Sequence, residues 1–488
     1  MVLSDNKPAA KRTGFHPHKK PFQKQGQGQT PAAPKADHAL GLSETEYRAK
    51  LEAEHPGLNV RQCAAKLLNA VVAKNTSLDG LTDAHHGHPQ YMELDDRDRS
   101  LVRAILGTAL RNRNTIETAL CKLLDRPLPA NATALQQLLH VGAAQILYLD
   151  VPDHAAVDLA VTSANIDPRN RKYASLVNAV LRRLTRNKER AIELKISNGP
   201  DWYIESLTKT YGQKQAEAIL AMQAYEPSID LTVKSNPAEW AAKLGGTLLP
   251  NGSVRLGSFE GALTALEGFA EGEWWVQDAA ASLPATLLGD IKGKRVADLC
   301  AAPGGKTAQL IMAGAKVTAF DINKNRLKRL KSNLDRLQLD AELIATNILD
   351  YQTDELFDAI LLDAPCSSTG TVRRHPDVLW TKTPDDIVRL AQVQAKLLRH
   401  AVALVKPDGI IVFSNCSLNR EEGEDMAQAI LAEGVLKAEP FKPEELKGME
   451  QLITDQGFLR STPADLPHDE PKMAGLDGFF AARFRRQP

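Results

Sequence analysis

The hydrophobic period changes along this chain, and that change restricts its folds more than any other feature. From about 57 to 195, apolar residues recur every three or four positions. Val60, Cys63, Ala64, Leu67, Leu68, Val71 and Val72 make one helical stripe. Leu101, Val102, Ile105, Leu106, Ala109 and Leu110 make another, and Tyr173, Leu176, Val177, Val180, Leu181 and Leu184 close the series. Several such helices in one stretch predict a compact all-α domain. From about 290 the pattern becomes RVADLC, KVTAF, ELIA, DAILLDAP and GIIVFSNC, short apolar or β-branched runs separated by helical segments. That alternation predicts a doubly wound, mostly parallel sheet of the Rossmann-like α/β class. In such sheets ligands bind beyond the carboxyl ends of the strands. Asp321, Asp363 and Cys416 stand at those ends.

The length of 488 residues suggests about three domains, and the period supplies their limits. Residues 1–45 read as a disordered basic tail rich in Pro, Gln, Gly and Lys, with too few aliphatic residues to offset ordering entropy; a solvated tail is the first reading, and a tether with salt-sensitive contacts to RNA phosphates the alternative. The all-α domain covers 55–195, a helical connector 196–226, a small α+β subdomain 227–285 and the α/β domain 286–488. Lys and Arg total 60 against 60 Asp and Glu. Zero net charge excludes a uniformly basic nucleic-acid coat but not a local basic patch. The five cysteines, Cys63, Cys121, Cys300, Cys366 and Cys416, are too widely spaced for a disulfide framework or a CxxC metal site. A reducing, cytoplasmic chain is expected. Cys63 and Cys121 fall on helical stripes and are expected in the core. His85, His86 and His88 fit no metal-binding spacing, so no metal is expected. The N-terminus lacks the apolar stretch of a signal peptide, and no run approaches the about 18 apolar residues of a membrane span.

Four segments carry candidate chemistry. Asp298 to Thr307, DLCAAPGGKT, runs from a strand into a helix, and its small residues permit close backbone approach to a ligand. It is neither a phosphate loop, which needs glycine where Cys300 stands, nor the dinucleotide pattern GxGxxG. Asp321 suits a ribose hydroxyl, with a helix N-cap as the bland alternative. Asp363-Ala364-Pro365-Cys366 places a carboxylate and a thiol at one strand end, and Arg373 and Arg374 follow in a loop able to meet phosphates. Phe413-Ser414-Asn415-Cys416 places a second thiol at a strand end, as a nucleophile would be placed. In the helical domain, Arg182 and Arg183 lie in a basic helix end suited to RNA.

Together these motifs resemble the rRNA cytosine-C5 methyltransferases of the NOL/NOP2/Sun family. The resemblance covers about 225–488, including Trp274-Trp275-Val276-Gln277-Asp278 and Asp477-Gly478-Phe479-Phe480. The helical domain resembles the NusB-like RNA-binding domain of the branch that methylates cytosine 967 of 16S rRNA. The resemblance implies S-adenosyl-L-methionine along Cys300, Ala301, Ala302, Pro303, Gly304, Gly305 and Lys306, with Asp321 on its ribose and Asp363 nearby. It implies Cys416 as nucleophile, Cys366 as the group assisting product release, and Asp363 as the holder of the cytosine. Asn347 stands where the family usually has an acid near adenine, and Asn415 where it usually has threonine. Lys306 is expected to reach Asp363 or the cofactor. The implied partner is 16S ribosomal RNA, with a monomeric enzyme and no membrane. A tRNA cytosine-C5 methyltransferase and a non-catalytic NusB-like assembly factor are the alternatives; two retained strand-end thiols argue against the second.

Overall fold

The computed structural model describes residues 44–488 apart from 84, 85, 195 and 260. The basic tail up to residue 43, and His85, lie outside the described residues.

The helical part contains Leu58–Lys74, Asp96–Arg111, Arg113–Leu123, Thr133–Tyr148, Asp153–Ile166 and Ala174–Arg186. The stripes seen in sequence are their buried faces: Val60, Leu67, Leu106, Val177 and Leu181 all lie within one core. The central helix Thr133–Tyr148 is buried nearly all round, including Gln137 and Gln145. Those amides are satisfied by arginines: Arg61 donates to Gln145 at 2.8 Å and Arg113 to Gln137 at 3.0 Å. Cys63 is buried as expected. Cys121 is not: it lies exposed, with its thiol 3.5 Å from Glu117. Its stripe runs onto the solvent edge at the end of its helix.

Asp201–Tyr211 and Gln213–Gln223 follow as two helices. Next comes an antiparallel sheet of β1 (Ile229–Val233), β2 (Thr247–Leu248), β3 (Val254–Leu256) and β4 (Trp274–Val276), in the order β2-β3-β1-β4. Leu231, Val254 and Trp274 share an apolar cluster with Trp240 of the helix Pro237–Lys243. On the other face Asp230 pairs with Arg255 at 2.7 Å, both side chains almost fully buried.

The large sheet begins with β5 (Arg295–Leu299), β6 (Lys316–Asp321), β7 (Glu342–Ala345), β8 (Phe357–Asp363) and β9 (Val405–Asn415). These five are parallel, in the order β9-β8-β5-β6-β7. Strands covered on both faces read as continuous apolar runs, which is why they were visible in sequence. Three further strands, β10 (Leu436–Ala438), β11 (Leu459–Ser461) and β12 (Phe479–Arg486), extend the sheet antiparallel, with β12 beside β9. The arginines of FFAARFRR hide β12 in the sequence. Arg483 is nonetheless buried, because Glu445 accepts two bonds from it.

Residues 54–488 pack as a single compact unit. Leu78 N donates to Asp377 at 2.9 Å, Arg111 to the Arg373 carbonyl at 2.7 Å, and Trp380 Nε1 to the Leu110 carbonyl at 3.1 Å. Among the described residues no helix is long and apolar enough to cross a membrane.

Candidate active site

Parallel pairing of β8 with β9 sets Asp363 opposite Ser414, so the loops that leave these strands start side by side. Ser414 Oγ donates to Asp363 Oδ1 at 2.9 Å, and Ala364 N to the Ser414 carbonyl at 2.8 Å. Cys366 lies three residues beyond Asp363 and Cys416 two beyond Ser414. Their Sγ atoms are 3.4 Å apart. The contact polarises the pair. The bond to Cys416, then burial, pushes the Cys366 thiol well above its ordinary value. The bond from Cys366 pulls Cys416 down against burial, with the Ser368 hydroxyl assisting. The two sulfurs are thus unlike, with the thiolate form less disfavoured on Cys416 than on Cys366.

A buried carboxylate braces both loops. Glu422 is fully buried and accepts from Ser367 N and from Gln394 Nε2, each at 2.9 Å, and from Ser367 Oγ. Asn415 Nδ2 donates to the Glu422 carbonyl at 2.7 Å, while Asn415 Oδ1 accepts from Ser417 N at 3.0 Å. An amide at 415 therefore fits, since the site uses both its donor and its acceptor. Gly370 crosses the C-terminal segment so closely that a Cβ there would strike the Gly478 carbonyl. Gly478 N bonds the Gly370 carbonyl at 2.8 Å, and Gly370 N the Cys416 carbonyl at 2.9 Å.

The cofactor loop leaves β5 through Cys300, at φ 63°, and reaches the helix Gly305–Met312 through Gly304, at φ 103°. Ala301 N bonds the Phe320 carbonyl at 2.9 Å; Arg326 and Asn333 hold the Ala302 and Pro303 carbonyls at 2.6 and 2.9 Å. Burial pushes the Cys300 thiol up to about 12. Lys306, in the first turn of the helix, reaches across to Asp363 at 2.7 Å. Asp363 thus joins the cofactor loop to the thiol pair.

Asp321 ends β6 with its side chain almost entirely buried. The cap of the next helix, Lys324–Arg336, is Asn323, whose Oδ1 accepts from Asn325 N and Arg326 N. Asp321 is therefore not that cap. Its Oδ1 accepts from Asn323 N at 2.8 Å, and its Oδ2 has no hydrogen bond, with Arg326 3.2 Å away as an ion partner. A buried acceptor left open beside a small-residue loop fits a ligand hydroxyl, so the residues present suit a nucleoside-type cofactor such as S-adenosylmethionine. Asn347 follows β7 and is engaged locally: its Oδ1 accepts from Leu349 N at 3.3 Å and its Nδ2 donates to Asp350 at 3.0 Å.

The Arg373–Arg374 loop requires a correction. Arg373 is 1% exposed and donates to the carbonyls of Ala474 and Leu476 at 2.7 and 3.3 Å. Burial lowers its pKa to about 10. Arg374 is held between Asp278 at 2.6 Å and Asp477 at 3.1 Å; burial opposes its charge and the two carboxylates outweigh that opposition. Neither guanidinium is free for a phosphate. Arg374 ties WWVQD and DGFF to the thiol loop, and Arg373 ties in the segment just before DGFF. By contrast Arg182 and Arg183 are exposed, on Ala174–Arg186, with Arg182 bonded to Asn178 and Arg183 to the Leu123 carbonyl. Among the described residues no cluster of three or more His, Cys, Asp or Glu side chains is placed to hold a metal ion.

The sequence reading missed the braces Ser367, Gln394 and Ser414. Gln394 sits on an otherwise apolar face of the helix Pro384–Leu404, and a polar residue on such a face was the available signal.

Comparison with known proteins agrees with this geometry. Residues 285–485 match the family model described as 16S rRNA methyltransferase RsmB/F, and residues 58–186 match that of the NusB family. The Ribosomal RNA small subunit methyltransferase B of Pseudomonas putida is 36% identical over 454 residues, 87% of this chain and 98% of that protein. Its counterpart in Klebsiella pneumoniae is 34% identical over 395 residues, 77% of this chain and 90% of that protein. The crystal structure of PH0851 shares the fold with a TM-score of 0.63 at 21% identity, covering 88% of this chain and 99% of that one. A relative this similar over most of both chains establishes kinship, and the chain belongs to the 16S rRNA methyltransferase RsmB/F family.

Proposed function

We propose that this chain is an S-adenosylmethionine-dependent methyltransferase that acts on C5 of a cytosine in 16S rRNA, cytosine 967 by resemblance to its branch. The observation that carries the reading is the 3.4 Å approach of Cys366 and Cys416 beside Asp363. Cytosine C5 is a weak nucleophile. A Cys416 thiolate that adds to C6 forms an S–C6 bond and places electron density on C5. S-adenosylmethionine, when bound along Cys300 to Lys306 with its ribose on Asp321, supplies the methyl group. Asp363 holds the N3 edge of the cytosine and stabilises the ring as it gains electrons. Lys306 pairs with Asp363 and keeps it in place. With Cys366 assisting, the C5 proton passes to a solvent water; the C–H pair re-forms the C5–C6 double bond and expels Cys416 as a thiolate. By resemblance Asn347 takes the position near the adenine, where an amide can still hydrogen-bond the base. Arg182 and Arg183 offer phosphate contacts from the helical domain.

Labelled S-adenosylmethionine with unmethylated 16S rRNA and with tRNA, followed by mapping of methylcytosine, tests the reading. Methylation of 16S rRNA by the unaltered protein and none by Cys416→Ala is the expected result. Normal transfer by Cys416→Ala refutes the nucleophile, and a product on tRNA alone refutes the substrate.

A further inference from the structure

Glu422 is a fully buried carboxylate that the proposed reaction does not use. It ends the short turn Arg420–Glu422, which follows Cys416 in the chain. Its side chain nevertheless engages the loop of the other thiol. Glu422 Oε1 accepts from Ser367 N at 2.9 Å, and Oε2 accepts from Ser367 Oγ. Gln394, also fully buried, stands beside it on the helix Pro384–Leu404. Gln394 Nε2 donates to Glu422 Oε1 at 2.9 Å and to the Pro365 carbonyl at 3.0 Å. Pro365 and Ser367 are the chain neighbours of Cys366. The Glu422–Gln394 pair therefore grips that cysteine's backbone on both sides.

Cys416 is held by different means. Asn415 Nδ2 donates to the backbone carbonyl of Glu422, not to its carboxylate. Asn415 Oδ1 accepts from Ser417 N, Gly370 N donates to the Cys416 carbonyl, and Arg460 donates to the Ser417 carbonyl. None of these bonds includes the Glu422 side chain. A substitution at 422 thus keeps these bonds on the flanks of Cys416 and removes those on Ser367. Buried donors are seldom left unpaired. Without the carboxylate, the Ser367 N–H must turn to another acceptor and carry Cys366 with it.

We propose that Glu422 and Gln394 are positioning residues for product release, acting through Cys366. The step they serve is the last one. The C5 proton passes to a solvent water, the C–H pair re-forms the C5–C6 double bond, and Cys416 leaves C6 as a thiolate. Cys366 assists from a fixed place, its sulfur 3.4 Å from the one that leaves. This role rests on the thiol mechanism proposed above and adds what holds the releasing group.

Glu422→Ala, Glu422→Gln and Gln394→Ala, each incubated with unmethylated 16S rRNA and labelled S-adenosylmethionine, provide the test. The readouts are methyl transfer in the first turnover, steady-state turnover, and RNA that stays on the protein after denaturation. In both alanine variants steady-state turnover should fall on the order of a hundredfold, the scale of a misplaced group. First-turnover transfer should fall far less, and an RNA adduct should build up on the Cys416 peptide. Glu422→Gln keeps an acceptor for Ser367 N and should recover most of the turnover. Equal falls in both rates without an adduct would overturn the proposal, as would unchanged turnover or no recovery in Glu422→Gln. If one alanine variant fails to fold, the other decides by the same outcomes. Cys366→Ala separates this claim from the one beneath it. No adduct in Cys366→Ala refutes the releasing role of Cys366 itself. An adduct there and none in the Glu422 and Gln394 variants refutes only their positioning role.

Discussion

Single residues at this site differ chiefly in how burial treats their protons. Asp298 is fully buried beneath the cofactor loop, with Oδ2 bonded to Thr307 at 2.6 Å and Oδ1 without a partner. Burial first, then the nearby Asp363 and Asp321, raises its pKa to about 7 from an ordinary 3.8. An unfolded chain loses this proton from about 3.8 upward, whereas the folded chain keeps it until about 7. The stabilisation from a neutral Asp298 is therefore full below about 3.8 and is lost as pH rises through about 7. Asp298→Asn, neutral throughout, should show a flatter profile of unfolding free energy between those values in denaturant titrations. A profile that coincides with the unaltered protein's would contradict the assignment. The sequence made Cys416, Cys366, Asp321 and the Cys300–Lys306 loop legible because each stands at a strand end, where polar residues interrupt an apolar run. It could not show that Cys366 and Cys416 touch, since that depends on the register of Asp363 against Ser414.

Elements explain why the arginine loop was misread. Arg-Arg in a loop suggests a surface contact, yet Gly370 meets Gly478 here and the loop is pressed against the C-terminal segment. Arg374 then neutralises Asp278, the N-cap of Ala279–Thr286, and Asp477, which precedes β12. Removing one partner of a buried ion pair typically costs about 3–5 kcal/mol. Arg374→Ala should lose stability on that scale in urea unfolding, and weakened RNA affinity with unaltered stability would restore the phosphate role. The parallel strands β5 to β9 were legible through their apolar runs, and the helical domain through its stripes. Strands β11 and β12 were not, because Arg460 and Arg483 are buried by partners distant in sequence, Glu424 and Glu445.

At the scale of the whole molecule, zero net charge conceals a division of labour. Many arginines pair internally, while Arg182 and Arg183 remain exposed on the helical domain. That domain is packed onto the catalytic one through Leu78–Asp377, Arg111–Arg373 and Trp380–Leu110. An RNA held by the helices would therefore meet a thiol loop whose position they help to fix. The proposed reaction depends on a covalent bond between Cys416 and the cytosine, and on Cys366 to undo it. The most direct measurement is mass spectrometry of Cys366→Ala after incubation with 16S rRNA and S-adenosylmethionine. A stable RNA adduct on the peptide that contains Cys416, absent when Cys416→Ala is added, is the expected result. Free turnover without an adduct, or an adduct on any other residue, would contradict it.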